Sequence, residues 1–148
     1  MAPIDPPEQA PPGVFSLSTA KTPAPLVLVV DDEPLVRWSV AETLGAAGYE
    51  IVEAGDGRSA LQAIRDARSP VDLVMLDLRL PDVADLSLFI AMHRLWPNTQ
   101  IVIMTAYSSP EMVTEARALG AFAVINKPFE LADLALLVER ALTATRPS

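Results

Sequence analysis

Apolar residues in this chain come in short, nearly continuous blocks, and each block stops at a polar residue. Leu26 to Val30 runs into Asp31, Asp32 and Glu33. Val71 to Leu76 runs into Asp77, Ile101 to Met104 into Thr105, and Phe122 to Ile125 through Asn126 into Lys127. A strand covered by helices on both faces is continuously apolar rather than alternating, so these Val, Ile and Leu blocks predict buried strands of a parallel sheet. Glu50 to Ala54 predicts a further strand, shorter and nearer an edge.

The segments between the blocks have helical spacing. Pro34 opens a first helix whose apolar face is Leu35, Val36, Val40 and Leu44, and Gly45 and Gly48 end it. Gly57 leads into a second, with Ala60, Leu61 and Ile64 facing inward, and a third is predicted over about 85–95. Ser109 caps a fourth with Pro110 at its first position, and Gly120 closes it. The fifth runs over about 130–142 on a stripe of Leu131, Leu134 and Val138. Five strands alternating with five helices predict an α/β fold, a single doubly wound parallel sheet with helices on both faces.

In such a sheet the ligand crevice lies outside the carboxyl ends of the strands, where the polar block ends converge. Asp31, Asp32 and Asp77 gathered there repel one another, so one pKa must rise or a counter-ion must be present. A divalent cation meets that demand, and hard carboxylate oxygens suit Mg²⁺ (or Mn²⁺), which binds through one or two carboxylates plus phosphate oxygens. Lys127 offers a compact charge for an Asp77 oxygen and then a phosphoryl oxygen, and Thr105 a hydroxyl for a second. The chemistry these residues suggest is phosphoryl transfer to the Asp77 carboxylate, giving an acyl phosphate.

The order Asp31-Asp32-Glu33, then Leu76-Asp77-Leu78-Arg79-Leu80-Pro81, then Met104-Thr105-Ala106-Tyr107, then Asn126-Lys127-Pro128-Phe129 resembles the receiver domain of bacterial two-component response regulators. The resemblance implies a flavodoxin-like sheet of strand order 2-1-3-4-5 and a receiver domain over 26–145. It implies Asp77 as phosphoacceptor, Asp32 and Asp77 as direct metal ligands, Asp31 acting through metal-bound water, and the Arg79 main-chain carbonyl as a further ligand. Thr105 and Lys127 would contact the phosphoryl group, and the Lys127-Pro128 bond would be cis. The implied partners are a sensor histidine kinase or phosphotransfer protein and a downstream protein target. The implied activity is that of a phosphoacceptor with limited self-phosphorylation and self-dephosphorylation, not of an enzyme.

Two positions depart from the family pattern. Where relatives place a glycine after the phosphoacceptor loop, this chain has Asp85, in the run Pro81-Asp82-Val83-Ala84-Asp85, so the loop is expected to follow a different path or start the third helix differently. Three residues before the lysine, where relatives place Tyr or Phe, stands Val124. Phe122 lies two residues earlier and by alternation on the same strand face, so a switch that involves Thr105 is expected either to be muted or to use Phe122.

With 148 residues, 51% hydrophobic and 5% aromatic, the chain has room for one aliphatic core. A net charge of −8 disfavours direct nucleic-acid binding, which releases phosphate counter-ions through basic groups. No stretch approaches the run of about 20 apolar residues a membrane span needs, and the expected location is cytoplasmic. Half of the 14 prolines fall in residues 1–25, at 3, 6, 7, 11, 12, 23 and 25, which predicts a disordered, partly extended arm. Residues 146–148 are read as a short tail.

His93, the single histidine, is expected to face solvent from the third helix. Trp38 and Trp96 are expected to be packing or half-exposed residues, and Arg79 and Tyr107 either to flank the site entrance or simply to be exposed in their loops. Leu136, off the stripe of the fifth helix, suggests a contact patch and a possible homodimer through the helix 4, strand 5 and helix 5 face. Two other functions fit less well. A phosphorylation-independent docking module is expected to lack Asp77, an acid of the pair or Lys127, and none is missing. An enzyme on a nucleotide-binding α/β sheet needs a Gly-rich phosphate loop, and no strand here leads into one.

Overall fold

A computed structural model describes residues 23–144, so most of the predicted Pro-rich arm and the predicted tail lie outside the described residues. Within them the chain alternates strictly: β1 (Leu26–Val30), α1 (Pro34–Ala46), β2 (Glu50–Ala54), α2 (Gly57–Asp66), β3 (Leu73–Asp77), α3 (Ser87–Leu95), β4 (Gln100–Thr105), α4 (Pro110–Ala118), β5 (Ala123–Asn126) and α5 (Leu131–Ala144). All strand pairs are parallel, in the order β2-β1-β3-β4-β5. The expected flavodoxin-like topology is therefore the observed one. No helix among the described residues is long and apolar enough to cross a membrane.

The continuous apolar blocks are explained by two cores, one on each face of the sheet. Leu28, Val30, Val74, Leu76, Ile101 and Ile103 pack with Ala60, Ile64, Leu88, Phe89, Met92 and Ala116, side chains from α2, α3 and α4. The alternate residues Val27, Val29, Leu73, Met75, Val102 and Met104 pack with Val40 and Leu44 of α1 and with Leu134, Val138 and Leu142 of α5. Successive strand residues point to opposite faces, so a strand buried on both has no polar position to offer until it ends.

Register then sets where the polar ends fall. Val30 pairs with Leu76, Asp77 with Met104, and Thr105 with Asn126. Asp31, Asp77, Thr105 and Lys127 consequently emerge at one end of the sheet.

Local details differ from expectation in four places. Leu35, predicted on the buried face of α1, is 73% exposed; Val36, Val40 and Leu44 complete that face without it. Helix α3 starts at Ser87, two residues later than predicted, because the Asp85 carboxylate accepts the Ser87 N–H at 2.9 Å and ends the loop instead of joining the helix. Phe122 stands at a bend before β5, outside the alternation of the strand. It packs with the α1 and α5 core while Val124 packs with the α3 and α4 core, so the two do not share a face.

His93 is the fourth. It is half-buried rather than solvent-facing. Its ring stacks on Phe89 with centroids 6.1 Å apart, and its Nδ1 is buried without a hydrogen-bond partner. The reason is Gly120, whose φ of +116° turns the chain after α4 and whose missing side chain leaves the imidazole its place. A Cβ there would stand 2.4 Å from His93 Nε2. Gly120→Ala is expected to destabilise the domain by about 2–4 kcal/mol, adding backbone strain to overlap. In urea unfolding, a second change His93→Ala should recover the overlap share only.

Candidate functional site

Lys127 organises the polar end of the sheet. Its main-chain N–H donates to Thr105 O at 2.8 Å, extending the β4–β5 ladder by one bond, and its peptide bond to Pro128 is cis. The ammonium reaches back across the sheet and donates to Asp31 Oδ2 at 2.7 Å, Glu33 Oε1 at 3.0 Å and Asp77 Oδ2 at 3.2 Å. Asp31 and Asp77 are buried, and the Lys127 side chain is 13% exposed. Burial opposes the charge on Lys127, but its hydrogen bonds to Asp31 and Glu33 and the nearby charges of Asp31 and Asp77 outweigh that and raise its pKa above the ordinary lysine value.

Asp77 is pulled both ways. Burial raises its pKa most, the Arg79 N–H lowers it, the charge of Asp31 raises it, and Lys127 lowers it; the net direction is upward. Its two oxygens are divided between partners. Oδ1 accepts the Arg79 N–H at 3.0 Å and Oδ2 accepts Lys127. Asp31 is anchored on all sides: its N–H donates to Ala54 O at 3.1 Å, its Oδ1 accepts the Glu33 N–H at 2.9 Å, and its main-chain oxygen accepts Arg37 Nη1 at 2.7 Å. Arg37 is in turn paired with Glu53 at 3.2 Å.

The three acids that come together are Asp31, Glu33 and Asp77, each with an oxygen within 4.8 Å of the others. Asp32, expected as a direct metal ligand, is exposed and stands outside that group. The Asp31 N–H still belongs to the sheet ladder, so its side chain is directed by the strand, whereas Asp32 is the first residue past it. Glu33 was not singled out by its sequence position. Its only signal was to be the third acid in the run. An acidic set of this kind, only partly balanced by one ammonium, fits a hard divalent cation.

Thr105 is buried beside the acids, and its Oγ1 accepts the Tyr107 N–H at 3.1 Å. The hydroxyl proton is thereby left to donate elsewhere. Tyr107 is 70% exposed and lies under the Arg79 guanidinium, 4.5 Å from ring centroid to Cζ. Arg79 and Tyr107 are thus joined by a cation–π contact. Val124 and Phe122 contribute nothing to this cluster directly.

The response regulator receiver domain model matches residues 27–139. This chain belongs to the response regulator receiver domain family. Relatives include the transcriptional regulatory protein PdtaR of Mycobacterium tuberculosis, 42% identical over 81% of this chain and 58% of that protein. Sporulation initiation phosphotransferase F of Bacillus subtilis is 31% identical over 78% of this chain and 92% of that protein. Among solved structures, the receiver domain of NtrX from Brucella abortus is 38% identical, with a TM-score of 0.72 over 79% of this chain and 98% of that one. A CheY-like receiver domain protein from Methanospirillum hungatei superposes with a TM-score of 0.77 at 28% identity, covering 82% and 96%. The chain spans 58% of PdtaR and 25% of the regulatory protein AtoC of Escherichia coli. The receiver domain places the chain in two-component signalling, in which response regulators accept phosphoryl groups from histidine kinases. Receiver domains are phosphoacceptors rather than classical enzymes.

Proposed function

We propose that residues 26–145 form a Mg²⁺-dependent phosphorylation switch in which Asp77 takes a phosphoryl group from a histidine kinase or phosphotransfer protein. One observation carries this reading: the buried Asp77 carboxylate is shared between the Arg79 N–H and the Lys127 ammonium, in a group of three acids that this single ammonium joins. An Asp77 oxygen attacks phosphorus, the P–N bond of the donor phosphohistidine breaks, and the freed imidazole nitrogen takes a proton from water. Lys127 holds Asp77 by the longest of its three bonds, so it can leave that oxygen and follow a phosphoryl oxygen at least cost. The Thr105 hydroxyl donates to another. Asp31, Glu33 and Asp77 would hold the cation, with Asp32 and the Arg79 carbonyl as the further ligands the family pattern implies. When bound, Mg²⁺ offsets the negative charge that nucleophile and phosphoryl oxygens bring together.

The donor's approach is supported by an apolar cavity of about 520 Å³ beside the site, where Leu35, Val36, Phe129 and Leu131 lie next to Glu33 and Lys127. Arg79 and Tyr107 close the opposite side and hinder water. The output surface is read as the α4, β5 and α5 face, where Leu136 is 49% exposed and where a downstream protein or a second copy would bind, in the cytoplasm. With Phe122 on the other core, any movement of Thr105 passes to Val124 or to Tyr107. The reading is checked by incubating the protein with phosphoramidate and Mg²⁺ and mapping peptides. One hydroxylamine-sensitive phosphoryl group on Asp77 is expected; a stable adduct on another residue would refute it.

A further inference from the structure

The loop that carries Arg79 is held in place from outside the site, and the residue that holds it is Asp82. Its Oδ1 accepts the Gly57 N–H at 2.8 Å and its Oδ2 accepts the Arg58 N–H at 3.0 Å. These are first-turn donors of α2 that have no partner within the helix, and the helix start favours an anion. The Gly57 N–H is the largest influence holding the Asp82 carboxyl below its ordinary pKa. Helix α2 already has a cap of its own, since Asp56 Oδ1 accepts the Ser59 N–H at 2.7 Å. Asp82 reaches it from the β3–α3 loop, so its bonds tie two distant segments together.

A second contact is independent of charge. A Cβ at Gly57 would lie 3.0 Å from Val83 Cγ2 and 3.3 Å from Leu88 Cδ2, so the loop lies directly against that glycine. From there the contacts run on to the phosphoacceptor. Leu80 N–H donates to Val83 O at 2.9 Å, closing the loop into a turn, and Arg79 N–H donates to Asp77 Oδ1 at 3.0 Å.

We infer that Asp82 is a positioning residue for phosphoryl transfer, pinning the β3–α3 loop to the start of α2 so that the Arg79 main chain stays on Asp77. This rests on the reading of Asp77 as the phosphoacceptor. Asp82 touches neither Asp77 nor the incoming group; it acts through Arg79. Asp56 is the natural control, because it caps the same helix without touching the loop.

The test compares the parent with Asp82→Ala, Asp82→Asn and Asp56→Ala, each checked for folding by circular dichroism. Misplacing a catalytic group slightly costs up to about 100-fold, so Asp82→Ala should form the acetyl phosphate adduct about 10- to 100-fold more slowly. Asp82→Asn keeps an acceptor oxygen and should recover much of the rate. Asp56→Ala should lower the melting temperature and leave the rate within about twofold, since it leaves the geometry at Asp77 intact. In metal-free protein the Arg79 amide proton should move upfield in Asp82→Ala and stay put in Asp56→Ala. Parent-like rate and amide shift in Asp82→Ala would overturn the inference, as would equal slowing in Asp56→Ala.

If Asp82→Ala does not fold, Gly57→Ala decides. It displaces Val83 without removing a charge, and it should slow the adduct about fivefold or more by the same misplacement; an unaltered rate in it would refute the role of the loop. A parent that takes up no phosphoryl group would refute the phosphoacceptor reading alone. The Arg79 amide shift, read without metal or phosphate, would still decide whether Asp82 sets that hydrogen bond.

Discussion

Lys127→Ala should lose both phosphoryl uptake and a large part of the domain's stability. The Lys127 ammonium bonds the carboxylates of Asp31, Glu33 and Asp77 together, and the first and last of these are buried. Removing one partner of a buried ion pair costs about 3–5 kcal/mol, because a charge is left behind without compensation. The low end applies here, since Glu33 is exposed and can turn to solvent. For a domain of this size that is a fall in melting temperature of roughly 10–15 °C.

The pH dependence of that loss has a definite sign. The pKa of Lys127 is raised in the folded state, so its contribution is fully present below the ordinary lysine value of 10.5 and is lost only as pH rises through the folded value. Through neutral pH it is flat. In the variant, Asp77 loses the ammonium that holds down its already raised pKa, so it takes up its proton at higher pH. The gap between parent and variant should therefore be small near pH 4 and widen toward pH 7. Thermal melts in chelator at several pH values check this. Lys127→Arg should not restore uptake, because a planar, forked guanidinium cannot place one compact charge among three carboxylates.

Asp77→Asn should do the opposite to stability while abolishing the adduct. In the folded state the Asp77 carboxyl has a raised pKa, chiefly from burial, with Asp31 adding to it. A group that binds its proton more tightly when folded stabilises the native state at low pH, and that stabilisation is lost as pH rises from the ordinary carboxylate value of 3.8 through the folded one. The asparagine carries no charge to desolvate, and its amide oxygen can still accept the Arg79 N–H. Lys127 keeps Asp31 and Glu33. In chelator the variant should match the parent near pH 3 and exceed it at pH 7 by roughly 1–3 kcal/mol, within the usual range for a single substitution. Urea unfolding at the two pH values measures it. Equal stabilities at pH 7 would mean that Lys127 already balances the buried charge.

The two variants form a matched pair, because one removes the cation and the other an anion from the same buried group. Opposite signs at pH 7 are what a site short of positive charge requires. On the proposed reading, the same excess of negative charge makes Asp77 ready to share its charge with a metal and a phosphoryl group.

The strands were readable from the chain because burial on both faces removes polar residues until the strand ends, so each block boundary marked a position at the polar end of the sheet. That Asp77, Thr105 and Lys127 emerge there together followed from that alone. What could not be read depends on directions that only the packed chain sets. Asp31 and Asp32 are adjacent acids, and which one turns inward depends on where the β1 ladder stops, one bond beyond Val30. Glu33 joins the cluster through an exposed, flexible side chain whose rotamer no spacing encodes. Phe122 failed the alternation argument because β5 begins at Ala123. His93 looked solvent-facing because the space it fills is created by Gly120, on another segment. Asp82 carried no visible signal, since its partners are main-chain N–H groups of a helix that the sequence already supplied with a cap.

The most direct measurement is the intact mass of the protein after incubation with acetyl phosphate, with Mg²⁺ and with chelator, in the parent and in Asp77→Asn. A single phosphoryl adduct that needs Mg²⁺ and vanishes in the variant is the expected result. A folded parent that gains no mass, or an Asp77→Asn variant that gains as much as the parent, would contradict the phosphorylation switch.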